Sequence, residues 1–390
     1  MQRIYYAERD TTLYEKHPGQ NTGIDEILEL TKIASGSRLL GAIQAKTFNT
    51  RFLVDFGTEI TNIGRSISNG EIPTLSNQHP TSASVFLNLR ATEASDLLIS
   101  YDVEAFPVFE SWKNGNGRFD NIPKTKVECS WFNRFGDEVA QTGTVWDVGG
   151  APSSGSSKTT SEIGGGAWYT GSGFEASQSF NNESPDIRMD VTDIVKKWVD
   201  GAIVNNGFII KRPHADEIDG EIRGAIKYFS RESHTVFVPR LEVCWDDSER
   251  TITSGTQIIS SNTYVPYFKN IKAEYRSNEI AKFHIGVRPE FPEKTFATGS
   301  FFITRNILPV SSSYEIIDTI TNDVIIKDDS LGSGKVFSDS KTKISNNGNG
   351  SFFSLRMDSF MPERFYKIKL TCRRTDDTQT FDDFHFKVVR

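Results

Sequence analysis

Four acidic residues stand close together in the chain: Asp216, Glu217, Asp219 and Glu221. Clustered carboxylate oxygens can bind calcium, and two carboxylates held about 5 to 10 Å apart can cleave a glycosidic bond. The spacing matches neither an EF-hand loop nor a recognisable acid–base pair, and it favours a solvated acidic loop. Calcium binding and hydrolysis of a surface polysaccharide remain alternatives. We predict a chain that is not an enzyme and has no cofactor or metal site.

Three aromatic residues suggest a different chemistry. Trp146, Trp168 and Tyr169 lie at or beside residues 149–175, a stretch rich in glycine and serine that predicts a surface loop. Exposed rings at such a loop stack on sugars, so these three residues are candidate glycan contacts. The alternative is that the rings pack beneath the loop, which is the commoner situation for tryptophan. No motif of a serine hydrolase, a P-loop protein or a zinc protease is present in a usable context.

One helix is predicted, over residues 190–201. Its apolar side chains follow the helical spacing i, i+3, i+4 and i+7 and end at Trp198. Asp190 can accept hydrogen bonds from amides of the first turn, and Gly201 supplies a left-handed stop. Because so short a helix is unstable alone, we expect it to close one open end of a β-sandwich.

The elements that must position these groups are strands. Period-two alternation recurs along the chain, as in residues 48–56, and the 28 phenylalanines suit the space between two sheets. We therefore predict an all-β chain with two β-sandwich domains. Residues 1–247 form a jelly-roll-like sandwich with one capped helix, residues 248–263 form a linker, and residues 264–390 form an immunoglobulin-like sandwich.

Charge and cysteine content exclude several classes of protein. The net charge of −7 argues against general nucleic-acid binding, which needs a basic surface. No segment approaches the roughly 20 apolar residues of a membrane helix, and the charged start lacks a signal-peptide core. We expect synthesis in the cytoplasm and no membrane partner. Cys129, Cys244 and Cys372 are too few and too far apart for a disulfide framework, and they predict buried free thiols.

Residues 1–247 resemble the DNRLRE-type modules, which are relatives of a carbohydrate-binding β-sandwich family. The segments that carry the resemblance are residues 10–14, 21–23, 28–30, 51–56, 83–89, 110–112, 129–131, 189–201, 206–210, 229–232 and 239–241. The helix with its Asp-Val-Thr start and Trp198, followed by the Asn206-Gly207 strand, is the best match. The resemblance implies a β-sandwich. It transfers no ligand residue, because the sugar-binding surface of such modules is not a fixed motif.

A chain of two β-sandwiches without an apolar leader looks like a virion component of a tailed bacteriophage. We therefore expect a non-enzymatic structural protein of the tail, baseplate, neck or fibre, or a capsid decoration. It would act by docking to other virion proteins and be oligomeric in the particle. The alternative is a carbohydrate-binding adhesion module that recognises a host surface glycan.

Overall fold

The computed structural model describes residues 1–35, 38–39, 42–43, 46–76, 82–137, 142–146, 154–155, 164–251, 256–291, 305–328, 341–374 and 377–390. The chain divides into two compact units. The N-terminal unit comprises Tyr5–Ser76 and Ser84–Glu242. The C-terminal unit comprises Val243–Arg390 together with Met1–Ile4 and Asn77–Ala83.

Strands make up most of the ordered structure in the first 244 residues. They are β1 (Gln2–Tyr6), β2 (Arg9–Tyr14), β3 (Ile27–Ser35), β4 (Arg38–Leu39), β5 (Ala42–Ile43), β6 (Lys46–Asp55), β7 (Ser84–Leu89), β8 (Ala91–Ser95), β9 (Ser100–Pro107), β10 (Asn133–Phe135), β11 (Thr144–Val145), β12 (Ser154–Gly155), β13 (Trp168–Tyr169), β14 (Ala176–Asn181), β15 (Ile187–Asp190), β16 (Phe208–Lys211), β17 (Gly224–Phe229) and β18 (Arg240–Cys244). The helices are α1 (Gly57–Ser68), α2 (Thr192–Val199) and α3 (His214–Ile218).

Two sheets form the frame of the N-terminal unit. The larger has the strand order β14-β9-β16-β6-β3-β17-β8, with β2 also paired to β6, and the smaller has the order β1-β18-β7-β15. One face of each sheet is apolar and buried, for example Phe52 and Val54 on β6 and Val85 and Leu87 on β7. A sheet with one apolar face must cover it. The sandwich expected from the alternating sequence pattern is therefore present.

The predicted helix is present as α2, and its apolar stripe, including Trp198, is buried. The expectation of a single helix is wrong, because α1 and α3 are also present. In α1 the buried residues Ile60 and Ile63 have helical spacing. Glycines and β-branched residues weaken that signal in the sequence.

The C-terminal unit is a second sandwich. Its strands are β19 (Thr256–Ile258), β20 (Tyr264–Phe268), β21 (Glu274–Arg276), β22 (Ile280–Pro289), β23 (Arg305–Ile307), β24 (Ser313–Asp318), β25 (Val324–Ile326), β26 (Ser345–Asn347), β27 (Gly350–Arg356), β28 (Arg364–Arg373) and β29 (Thr378–Val389). A six-stranded sheet has the order β19-β23-β22-β27-β26, with β20 paired to β22, and a five-stranded sheet has the order β21-β29-β28-β24-β25.

Aromatic rings fill the core of this second sandwich. Tyr314 on β24 stacks on Phe353 of β27 with ring centroids 4.2 Å apart, and Phe353 stacks on Phe283 at 5.2 Å. Offset stacking of this kind adds to the free energy gained by burying the rings. The residues predicted to form a linker instead belong to this unit, because β19 pairs with β23 and Ile259 is buried.

Candidate functional site

Strand β6 separates two cores of the N-terminal unit. Phe52 and Val54 point into the space between the sheets, and Arg51 and Leu53 point to the opposite face of the larger sheet. Residues from the 106–168 region pack against that opposite face and make a second core. Its buried members are Leu13, Leu53, Phe106, Val108, Trp112, Cys129, Trp131, Trp146, Ala167, Trp168 and Ile209.

Arg51 forms a buried ion pair within this second core. Its Nε and Nη2 donate to Oε1 and Oε2 of Glu217, both at 2.8 Å. Its Nη1 donates to the carbonyl of Gly165 at 2.7 Å. The guanidinium lies 5.0 Å from the ring centroid of Trp131 and 5.1 Å from that of Trp168. The bidentate bonds and the two rings together fix the arginine, so it is held in place by internal contacts.

A second cation, Lys211 on β16, compensates the charge of this cluster. Its ammonium lies 3.6 Å from Oε2 of Glu217 and 3.3 Å from Oε2 of Glu104. Burial raises the pKa of Glu104, although the neighbouring Lys211 opposes the increase. The two cations, Arg51 and Lys211, thus neutralise the charges of the carboxylates of Glu217 and Glu104.

Three successive glycines cross directly over this cluster. A Cβ at Gly164 would lie 2.2 Å from the carbonyl oxygen of Trp131, and one at Gly165 would lie 2.6 Å from Nη1 of Arg51. Gly164, Gly165 and Gly166 are buried, with positive φ values of 113°, 83° and 89°. The prediction that they belong to a surface loop is therefore wrong. Glycine is required here because the backbone approaches other atoms closely.

The acidic residues 216–221, predicted to form a solvated loop, instead lie partly in a helix. Asp216 and Glu217 lie in α3, and Glu217 is buried against Arg51. Asp219 accepts hydrogen bonds from Lys32 and Arg223. Burial alone raises the pKa of Asp219, but these two bonds outweigh it and hold the pKa below its ordinary value. In the part of the chain that the structure describes, no group of three or more His, Cys, Asp or Glu side chains is placed to hold a metal ion.

The candidate glycan contacts are mostly inside the protein. Trp146 is fully buried and its Nε1 donates to the carbonyl of Ser130, and Trp168 is almost fully buried beside Arg51. Neither indole offers a face to a sugar, so packing is the correct interpretation for both. Tyr169 is half-buried and stacks on Phe174 at 5.3 Å. Of the predicted loop, residues 149–153 and 156–163 lie outside the described residues.

Tyr169 also lines an open groove of about 1020 Å³ between α1 and α2. The lining includes Trp198 and the segment that follows α2. Among the described lining residues, the charged side chains are Arg65 and Asp200, so this groove has no pair of carboxylates for acid–base chemistry. The indole Nε1 of Trp198 is buried without a hydrogen-bond partner among the described residues. A buried donor of this kind is costly unless a partner satisfies it.

The ends of α2 set the shape of the groove. Asp190 accepts from the backbone amide of Thr192 at 3.0 Å, and Thr192 also binds the backbone of Val85 on β7. Gly201 has a φ of 70° after the last turn, where a side chain would be strained. A Cβ at Gly64 would lie 3.5 Å from Val199, so α1 and α2 approach closely at that point.

Asp10 on β2 is a buried acid that the sequence does not single out. Its Oδ2 accepts from the backbone amide of Arg231 at 2.6 Å. In the described part of the chain, no Lys or Arg side chain forms an ion pair with it. Burial raises the pKa of Asp10 to about 7, and this amide only partly opposes the increase.

The cysteines are free and buried, as predicted. Cys244 and Cys372 lie on β18 and β28, whereas Cys129 lies in a loop of the second core. Burial raises the pKa of both Cys129 and Cys372 above the ordinary value of a thiol. A protonated, enclosed thiol is a poor nucleophile, so we assign these residues to packing.

Comparison with known proteins gives little further information. No protein-family model matches the chain, and no curated protein matches it. Among solved structures, the chain has 11% identity and a TM-score of 0.16 to the crystal structure of Parabacteroides merdae β-glucuronidase with glycerol in its active site. That match covers 97% of this chain and 35% of the other. A similarity this weak shows neither a shared fold nor a shared activity.

Proposed function

We propose that this chain is a non-enzymatic structural protein of a tailed-phage particle that acts by docking to other virion proteins. The observation that carries the docking role is the open groove between α1 and α2. Its described lining has two charged side chains, and the N–H of Trp198 has no hydrogen-bond partner among the described residues. The charged groups of the second core support the same interpretation. They are held in internal ion pairs, Arg51 with Glu217 and Lys211 with Glu104.

The phage particle in this proposal follows from the sequence, through the resemblance to DNRLRE-type modules and the two-sandwich organisation. Its first test is mass spectrometry of particles purified from a lysate of the host that encodes the chain. We expect the protein at a fixed copy number per particle. That number separates tail or baseplate symmetry from capsid decoration, and absence from intact particles would refute the virion role.

The docking surface is tested with two charged substitutions in the N-terminal unit. Val204 lines the groove and is 68% exposed, whereas Ile122 lies elsewhere and is 95% exposed. Val204→Glu places a charge in the groove without disturbing a core, and we expect folded protein that no longer enters particles. Ile122→Glu is the matched control and should enter them normally. Equal incorporation of both variants would show that the groove does not hold the partner.

Glycan recognition is the second candidate from the sequence. The burial of Trp146 and Trp168 removes the two tryptophans on which it depended. Glycan recognition would therefore have to use other residues.

A further inference from the structure

The outer face of the six-stranded sheet in the C-terminal unit carries a group of exposed cations. Strand alternation along β22 puts Lys282, His284, Gly286 and Arg288 on this face, opposite the buried Phe283. Lys269 follows the neighbouring strand β20, and its backbone amide donates to the carbonyl of His284 at 2.8 Å. Arg305 on β23 and Tyr267 on β20 complete the surface. We call Tyr267, Lys269, Lys282, His284, Arg288 and Arg305 the basic platform.

The four cations of the basic platform have no carboxylate within 4.0 Å in the ranges that the structure describes, in contrast to most charges of this unit. Instead, Lys269 donates to the backbone carbonyl of Asn349 at 3.4 Å, and Arg305 donates to that of Gly348 at 2.9 Å. The ammonium of Lys282 lies 3.7 Å from the ring centroid of Phe352. The side chains are therefore positioned by neutral groups, and their positive charge remains available to a ligand.

The five-stranded sheet of the same unit provides the comparison. On its outer face Lys367 pairs with Asp382 at 2.9 Å, Lys369 with Glu315 at 2.8 Å and Lys387 with Glu363 at 2.7 Å. Among the described residues, lysines on an exposed sheet face thus have acidic partners on the five-stranded side of this sandwich, whereas Lys269 and Lys282 on the six-stranded side have none. The difference makes the basic platform a local feature, in a chain whose net charge is −7.

Tyr267 adds a flat aromatic surface beside these cations. A Cβ at Gly286 would lie 2.3 Å from Cζ and 2.6 Å from the hydroxyl of Tyr267, so the ring lies directly over that glycine. The ring is nevertheless 44% exposed. Gly350 stands across from Gly286, one step beyond the pair Ile285–Ser351, and its Cβ position is 3.4 Å from Nζ of Lys269. The lack of side chains at the two glycines lets the ring of Tyr267 and the ammonium group of Lys269 lie close to the sheet.

His284 lies at the centre of the basic platform and responds to its charge. Partial burial lowers the pKa of its imidazole, and Lys282 and Lys269 lower it further. Arg288 and Arg305 add positive charge on the same sheet. Such a surface disfavours a further proton and favours an anion.

We propose that the basic platform binds an anionic glycan, with acidic sugar substituents at Lys269 and Lys282 and a sugar ring on Tyr267. An exposed aromatic ring gives a sugar ring a stacking surface, and ammonium groups bind carboxylate or sulfate through charge-assisted hydrogen bonds. An acidic protein surface would use the cations but would not require the exposed ring of Tyr267. This site goes beyond the docking role proposed above and lies in the other unit, so either proposal can fail without the other.

The test is titration of the full-length chain with an oligogalacturonate of about six sugars, and with a neutral malto-oligosaccharide of equal length. We expect binding to the acidic oligomer alone, weakened by salt. Lys282→Gln and Tyr267→Ala should each weaken it about tenfold, because one charge-assisted bond or one stacked ring contributes on this scale. An NMR titration of His284 should show its pKa rising on binding.

The five-stranded sheet supplies matched control variants. Phe365 is 52% exposed and Lys387 lies 5.9 Å over its ring, so Phe365→Ala and Lys387→Gln remove an equivalent ring and charge. Both should leave binding unchanged. Absence of binding to oligogalacturonate would overturn the proposal. Equal binding of polyglutamate, with no effect of Tyr267→Ala, would also overturn it and would assign the basic platform to an acidic protein.

Discussion

Replacing Asp10 by asparagine should stabilise the N-terminal unit at neutral and alkaline pH. Asp10 is buried, and its oxygen accepts one backbone hydrogen bond from Arg231, without a cation to pair its charge in the described residues. An ionised carboxylate in such a place is unfavourable. The asparagine side chain would keep an acceptor for the Arg231 amide and would carry no charge.

The magnitude and the sign follow from the pKa of Asp10. It is about 7 in the folded chain, compared with an ordinary value of 3.8. The folded state therefore retains a proton that the unfolded state has already lost. Stability from this group is complete below pH 3.8 and is lost as the pH rises through 7. At about 1.4 kcal/mol per pH unit, the full loss is about 4 kcal/mol, of which about 3 kcal/mol falls between pH 5 and pH 8.

The assay is denaturant unfolding of the full chain at pH 5 and pH 8, followed by tryptophan fluorescence. Five of the six tryptophans, all except Trp245, belong to the N-terminal unit, so the signal reports mainly on that unit. The quantity compared is the difference in the free energy of unfolding between Asp10→Asn and wild type. Any effect of the amide that does not depend on pH cancels when the difference at pH 5 is subtracted from the difference at pH 8.

We expect this difference to grow in favour of Asp10→Asn by about 3 kcal/mol from pH 5 to pH 8. Asp102→Asn, at an exposed position on β9, is the control and should show no comparable change. Glu29 also has a pKa raised by burial, but it is present in both proteins and cancels. The charge of Asp25, whose pKa burial also raises, contributes to the raised pKa of Asp10 and is therefore part of the measured difference. A difference that stays constant with pH, or an NMR titration of Asp10 with a midpoint near 4, would refute the reasoning.

Two further predictions concern the second core. Glu217→Gln should destabilise the N-terminal unit by about 3 to 5 kcal/mol, because it removes the carboxylate charge that the buried guanidinium of Arg51 contacts through two hydrogen bonds. In a double-mutant cycle, Arg51→Met should therefore cost much less in that background than in wild type. Equal costs in both backgrounds would contradict the coupling. Gly165→Ala should cost about 1 to 3 kcal/mol more than Gly171→Ala in the same unfolding assay. Both glycines have positive φ, but only the first has a neighbour, Arg51, within contact distance of an added Cβ.

The parts of the fold predicted from the sequence are those specified by neighbouring residues. Helix α2 has an acceptor at Asp190, an apolar stripe and a left-handed stop at Gly201 within twelve residues, so a local pattern is sufficient. Strand β6 is marked by alternation around Phe52. Helix α1 lacks such marks, because its first residue is Gly57 and the residue before it, Phe56, has no polar side chain to cap the helix. Its stability comes from packing Ile60 and Ile63, which is not visible in a single segment.

The buried ion pair shows why the candidate site was harder to predict. Arg51 and Glu217 are separated by 166 residues, and each alone resembles an ordinary surface charge. The available signal was the position of Arg51, which alternates with Phe52 and Val54 in a strand buried on both faces. The surface loop predicted for the glycines at 164–166 is wrong for a related reason, since the contacts that require glycine come from distant parts of the chain. Composition predicted an exposed loop, whereas close approach to Arg51 and Trp131 is what requires glycine there.

Net charge, like composition, does not say where in the structure the residues lie. A net charge of −7 describes attraction at long range, and it argues against a protein coated with positive charge. At physiological ionic strength, however, exposed charges act over only about 8 Å. A ligand at Lys269 and Lys282 would therefore respond to these two ammonium groups, which have no carboxylate partner among the described residues, and hardly at all to distant carboxylates. For this reason an acidic chain can present a basic binding face, and the salt dependence of oligogalacturonate binding measures that local charge directly.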